Sequence, residues 1–207
     1  MLDRARRWLF PSACVACDAP GPGLCASCAP SPREAIAFAI DSVPGFALGA
    51  YDGPLRDAIV AMKHGLRDPL DAFVALLDRA QLDAPLVPLP TTRRRAAERG
   101  FDQSVTIARR VAARRGIGVQ ELLVKRGAPQ AGRDRRERRA ATGRFAVRDD
   151  APRPRAVTLF DDVCTTGATA RDAIEALRRA GVGVRRLVVL ARAGGTSAAA
   201  RGSIPTQ

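Results

Sequence analysis

Apolar positions along this chain follow two periods. Leu55, Ala58, Ile59 and Met62 recur at i, i+3, i+4 and i+7, one face of a helix. Asp52-Gly53-Pro54 ahead of them starts that helix with proline in its first turn, and Gly65 closes it. A second helix is predicted from about Asp68 to Arg79, a third over Phe101–Arg115 with Val105, Ala108, Val111 and Ala112 inward, and a fourth over Ala168–Ala180 with Ile174 and Leu177 inward. Four continuous apolar runs, Phe46–Tyr51, Leu86–Pro90, Val157–Phe160 and Leu187–Ala191, read as buried strands, and Phe145–Val147 reads as the end of a hairpin. Strands separated by helices at this spacing predict βαβ units, so the fold class is α/β with a parallel sheet.

Residues 126–144 carry no apolar period. Residues 133–144 hold six arginines against Asp134 and Glu137, a local net of +4. The stretch reads as a solvated helix face, a mobile loop or a DNA contact. From residue 194 the chain turns small and polar, the composition of a frayed tail.

The composition is that of a soluble globular chain, 46% apolar over 207 residues. No run approaches the roughly 18 apolar residues of a membrane-spanning helix. Met1–Phe10 carries Arg4, Arg6 and Arg7 with no apolar stretch behind them, which predicts a cytoplasmic protein without a secretory signal. Net charge is +13, and only Lys63 and Lys125 among the 34 cations are lysines. Such a charge suits a nucleic acid or a phosphorylated substrate, although GC-rich coding would also enrich arginine. Aromatics are 4%, too few for many base-stacking platforms.

Cys14-Val-Ala-Cys17 and Cys25-Ala-Ser-Cys28 form two CxxC pairs joined by the turn-rich Asp18–Leu24. Two such turns bring four thiolates to one tetrahedral point, the donor set of structural Zn²⁺. A disulfide framework suits an oxidising compartment instead, and a redox CxxC normally occurs once, within a βαβ pattern. Closed by four protein thiolates, the metal would have no open position for catalysis; it would staple a segment too short to hold itself by burial.

The sharpest motif is Val157-Thr-Leu-Phe-Asp161-Asp162-Val-Cys-Thr165-Thr166-Gly167-Ala168-Thr169. A buried strand delivers two carboxylates to its carboxyl end, where ligands of parallel sheets bind. A Thr- and Gly-rich loop then opens a helix whose first amides and dipole suit a phosphate. Adjacent acids suit sugar hydroxyls, or Mg²⁺ through water. Neither GxxxxGK[ST] nor GxGxxG after a strand is present. A plain strand–turn–helix joint capped by Asp would need fewer of these residues.

This segment resembles the phosphoribosyl pyrophosphate (PRPP) signature of type I phosphoribosyltransferases. Leu9-Phe10-Pro11, Tyr51-Asp-Gly-Pro-Leu, Lys63-His-Gly65, Val87-Pro-Leu-Pro90, Arg99-Gly-Phe-Asp-Gln103 and Gln130-x-Gly132 follow in an order that resembles the ComF family (ComFC/GntX-like proteins) across roughly residues 8–192. Two positions depart from its usual pattern: Asp102 stands where asparagine is usual, and Ala141 near another asparagine. The resemblance implies a zinc-ribbon-like module over residues 1–32, a type I phosphoribosyltransferase-like domain over 33–193 and a tail over 194–207. It implies a Mg²⁺-dependent enzyme that displaces pyrophosphate at the anomeric carbon of ribose. Asp161 and Asp162 would hold the ribose 2′- and 3′-hydroxyls as catalytic residues. Thr165, Thr166, Gly167, Ala168 and Thr169 would cradle the 5′-phosphate, with Cys164 packing behind them. Arg93, Arg95 and Arg99 would clamp pyrophosphate, or else form a solvated basic turn. Residues 133–144 would be a lid. Lys63 and His64 suit the C-terminal dipole of their helix, His64 more as a cap than as a general base. The family link to DNA uptake in natural competence implies single-stranded DNA or DNA-uptake proteins as partners. The alternative reading is a non-catalytic DNA-binding accessory protein with a regulatory PRPP pocket.

Overall fold

The computed structural model describes residues 13–82, 84–125 and 144–194. The first residues of the cysteine module, the basic stretch through residue 143 and the tail from residue 195 lie outside the described residues.

The elements follow in the order β1 (Ile36–Ile40), β2 (Val43–Ala50), α1 (Gly53–Lys63), α2 (Pro69–Leu76), β3 (Leu86–Pro88), α3 (Arg93–Arg99), α4 (Gln103–Arg115), β4 (Leu123–Lys125), β5 (Phe145–Val147), β6 (Ala156–Cys164), α5 (Ala168–Arg179) and β7 (Gly183–Arg192). The main sheet has the order β1-β2-β7-β6-β3. Every pair in it is parallel except the β1–β2 hairpin at one edge. The expected α/β class with a mainly parallel sheet is therefore what the chain adopts.

Burial on both faces accounts for the continuous apolar runs. Leu187, Val188, Val189, Leu190 and Ala191 are all fully buried, as parallel strands covered by helices require. Side chains alternate between two cores. Val157 and Leu159 join Leu187, Val189 and the α5 residues Ala173, Ile174 and Leu177 on one face. Phe160, Val188 and Leu190 join Ile59, Met62, Phe73 and Ile107 from α1, α2 and α4 on the other. Each such large side chain taken out of water stabilises the fold by about 1.5–3 kcal/mol.

Three elements differ from expectation. β1 was not anticipated: its turn, Asp41-Ser42, has positive φ at both residues (46° and 66°), the geometry of a two-residue hairpin turn but without its usual Asn-Gly signature. The second helix stops at Leu76 and tightens into a 3₁₀ turn over Leu77–Arg79. The arginine run after β3 is helical (α3), begun by Thr92, whose Oγ1 accepts from Arg95 N–H. β5 does close a hairpin, and its partner is β4, in an antiparallel two-stranded sheet.

The cysteine segment is docked on the helical side. Leu24 and Cys14 are buried within the same apolar cluster as α1 and α2. Gly23 lies so close to the Asp68–Pro69 backbone that a Cβ there would sit 2.3 Å from Asp68 C. Arg79 donates to Pro30 O at 2.6 Å and ties down the segment's far end.

Candidate functional site

The strand β6 runs through the acid pair and ends at Cys164, so Asp161 and Asp162 are held by sheet pairing to β7 rather than by a loop. Asp161 Oδ1 accepts from Asp162 N–H at 2.9 Å and from Ser104 Oγ at 3.3 Å. Asp162 Oδ1 accepts from Val163 N–H at 2.6 Å, and its Oδ2 pairs with Lys63 Nζ at 3.0 Å. Burial, reinforced by the neighbouring Asp162 charge, pushes the Asp161 carboxyl up to about 8; hydrogen bonds from Asp162 N–H and Ser104 and the charge of Lys63 offset only part of this.

A carboxyl raised in the native state withdraws stability as pH rises from its unfolded value near 4 to its folded value, because the unfolded chain then gives up its proton first. Asp161→Asn is accordingly expected to raise the unfolding midpoint at pH 8.5 and to leave it nearly unchanged at pH 4. Calorimetry across that range checks this, and a gain confined to low pH would contradict it.

Beyond Cys164 the chain turns through Thr165 and Thr166 to Gly167, the N-cap of α5, at φ 81°. Lacking a side chain, this cap makes no hydrogen bond of its own to the amides of the helix's first turn. Ala168 N–H bonds to Thr166 Oγ1 at 3.4 Å. The loop is braced by the β1–β2 turn: Ile40 packs where a Gly167 Cβ would lie, at 2.4 Å, and Arg171 bridges Asp41 at 3.0 Å and Thr166 O at 3.4 Å. Gly167→Val is expected to destabilise by about 2 kcal/mol, from left-handed strain and from displacing Ile40. Chemical denaturation measures the cost, and a variant as stable as the wild type would refute the contact.

The joint opens on a cleft of about 480 Å³, within the usual size range of small-molecule sites. Asp161, Asp162, Thr165 and Thr169 form one wall; Lys63, Arg95, Arg99 and Lys125 bring four cations to the others. Of the expected site residues Asp161, Asp162, Thr165, Thr169, Arg95 and Arg99 thus meet in one cleft; Thr166, Gly167 and Ala168 do not line it, and neither does Arg93, which is exposed at the start of α3. Gly167 lines a smaller hollow under the loop, beside Cys164. Cys164 is buried, and burial pushes its thiol up, which suits packing rather than nucleophilic chemistry. His64 is exposed at the end of α1, the cap position expected for it.

The sequence reading missed the residues that connect these walls. Gln103, buried, accepts from Arg99 Nη1 at 2.9 Å and donates to Met62 O at 3.4 Å, joining α3, α4 and the end of α1. Asp102 accepts from Thr91 N–H at 2.7 Å and from Val105 N–H at 3.2 Å, so both of its oxygens are used as acceptors. Asparagine has one such oxygen, which gives the departure at Asp102 a local physical role. Tyr51 and Ser104 also line the cleft, and their signal was the pair of motifs in which they stand or which they follow, Tyr51-Asp-Gly-Pro and Arg99-Gly-Phe-Asp-Gln103. Of the basic stretch only Arg144 is described; it donates to Thr169 Oγ1 at 3.2 Å and pairs with Asp172.

A second cluster lies at the docked N-terminal segment. The sulfurs of Cys14, Cys17, Cys25 and Cys28 lie within 4.8 Å of one another, and those of Cys17 and Cys25 are 3.7 Å apart. A tetrahedral zinc with Zn–S of about 2.3 Å needs sulfurs about 3.8 Å apart. The donor set fits, and the cluster can hold a zinc ion. Burial pushes the Cys14 thiol up, but backbone donors led by Cys25 N–H bring it down to about 6. The Cys17 side chain, followed by burial and the other two thiols, drives Cys28 up to about 12. Four thiolates therefore need a cation among them to coexist.

No protein-family model matches the chain, and no curated protein matches it in sequence. Among solved structures it is similar to the allosteric regulatory enzyme of purine biosynthesis (20% identity, TM-score 0.41), over 62% of this chain and 26% of that one. It is similar to orotate phosphoribosyltransferase from Aeropyrum pernix (18%, TM-score 0.38; 79% and 77% of the two chains). Adenine phosphoribosyltransferase from Leishmania tarentolae is similar at 15% and TM-score 0.38, over 67% and 79%. The chain thus spans about a quarter of the length of the first of these. Among the described residues no helix is long and apolar enough to cross a membrane.

Proposed function

We propose that this chain is a cytoplasmic phosphoribosyltransferase of the ComF family that binds PRPP with Mg²⁺, its cysteine module over residues 1–32 and its transferase domain over 33–193. One observation carries the reading: the β6–α5 joint brings two carboxylates, Thr165 and Thr169 into one cleft with four cations, Lys63, Arg95, Arg99 and Lys125.

The 5′-phosphate lies against the Thr165–Thr169 loop and the first amides of α5. The ribose hydroxyls donate to Asp161 and Asp162, fixing the sugar. Arg95 and Arg99 receive the negative charge that accumulates as the bond between the anomeric carbon and pyrophosphate breaks. That electron pair leaves with pyrophosphate, and the acceptor supplies the pair that forms the new bond at the oxocarbenium-like carbon. Asp161 and Asp162 would hold a Mg²⁺ ion, which when bound would supply further neutralisation of the leaving group's charge.

The family's link to DNA uptake makes single-stranded DNA or DNA-uptake proteins the proposed partners. A purely DNA-binding role has less support among the described residues, because Arg109, Arg110 and Arg114 on α4 pair with Glu121, Asp71 and Asp78. Pyrophosphate release from PRPP, measured with a panel of bases and with and without DNA, tests both. Base-dependent release supports the transferase. PRPP binding without release under any acceptor supports a regulatory pocket, and no PRPP binding refutes the site.

A further inference from the structure

Lys63 sits against the carboxylate to which the proposed function gives a sugar hydroxyl. Asp162 Oδ1 is already engaged by Val163 N–H at 2.6 Å, and Lys63 Nζ sits 3.0 Å from the remaining oxygen, Oδ2. The ammonium also lies 5.9 Å from the Tyr51 ring centroid. The pair is largely withdrawn from water, with 29% and 16% of the two side chains exposed.

A diol hydroxyl bound to Oδ2 competes with the ammonium for that oxygen. A half-buried ammonium without an anion is costly, so it needs another partner. Ribose 5-phosphate brings none to that end of the cleft. PRPP brings a pyrophosphate on the carbon next to the first hydroxyl, and the flexible lysine stem can follow it. Arg95 and Arg99 line the same cleft and mark where that anion is drawn.

Building on the proposed function, we infer that Lys63 is a specificity-determining residue. It holds Asp162 closed against unactivated sugar phosphates and releases it when pyrophosphate arrives to take the ammonium. Binding of the diol and of pyrophosphate is therefore coupled through one side chain, and the coupling is reciprocal.

Calorimetric titration of ribose 5-phosphate in magnesium-containing buffer, with and without saturating inorganic pyrophosphate, tests this on the full chain. In the wild type, pyrophosphate is expected to tighten ribose 5-phosphate binding by about 5-fold or more. In Lys63→Met, ribose 5-phosphate alone binds more tightly than to the wild type, and the enhancement falls below about 2-fold. Lys63→Arg restores the enhancement, which a merely structural role would not predict. Equal enhancement in Lys63→Met, or weaker binding of ribose 5-phosphate alone, overturns the inference. If the wild type binds PRPP and only the coupling result fails, this inference falls alone. If the wild type binds neither PRPP nor ribose 5-phosphate, the proposed function falls with it.

Discussion

Asp161→Asn/Asp162→Asn is expected to weaken PRPP binding at least about 100-fold. Above about pH 8, where Asp161 is ionised, each carboxylate loses a charge-assisted hydrogen bond to a sugar hydroxyl, worth about 1.5–3 kcal/mol apiece. The amides keep the shape of the side chains and one acceptor each, so the local bonds to Asp162 N–H and Val163 N–H can persist. PRPP at 100 times its dissociation constant should stabilise the wild type by about 2.7 kcal/mol. For a chain of this size that is a rise of about 5–10 °C in unfolding midpoint. The double variant should rise by no more than about 1–2 °C at the same concentration, and a full rise would remove the acid pair from the site. The single exchange at Asp161 is expected to stabilise the free protein at alkaline pH while the pair of exchanges disables binding. Stability and ligand capture therefore pull this carboxyl in opposite directions.

The second large effect concerns the four cysteines. Chelating the metal, or replacing Cys14 with Ser, is expected to lower the unfolding midpoint by about 10 °C or more, since structural zinc contributes folding free energy outright. Cys14 is fully buried in the cluster that holds Leu24 against α1 and α2, so loosening its turn reaches the core directly. Elemental analysis should find one zinc per wild-type chain and less than one in Cys14→Ser. An unchanged midpoint after complete metal removal would mean that the segment holds itself by packing.

The acid pair and its loop were legible in the sequence as one strand–turn–helix joint because the motif is local. A β-type apolar run, two acids and a Thr-Gly turn stand within 13 consecutive residues, Val157 to Thr169. The two CxxC pairs were legible for the same reason. β7 and α5 could be read because burial on both faces and on one face leave distinct periods. β1 could not, because Asp41-Ser42 enters the left-handed region without a glycine. Lys63 read as a cation at a helix end, since nothing nearby in the sequence reveals that the end of α1 stops beside the end of β6. Gln103 was visible as a motif position, but its job of joining Arg99 to Met62 O spans three helices and exists only in the folded chain.

The hairpin tip at Asp41-Ser42 sits more than 120 residues upstream of the threonine loop, yet Ile40 and Asp41 buttress that loop from behind. Under the proposed function, an anion arriving there would meet a socket already cast, with little freedom left to surrender on capture. Lengthening the tip by a residue or two would thus be felt chiefly as a slacker grip on phosphate, at a place no inspection of the ligand's own neighbours would suggest.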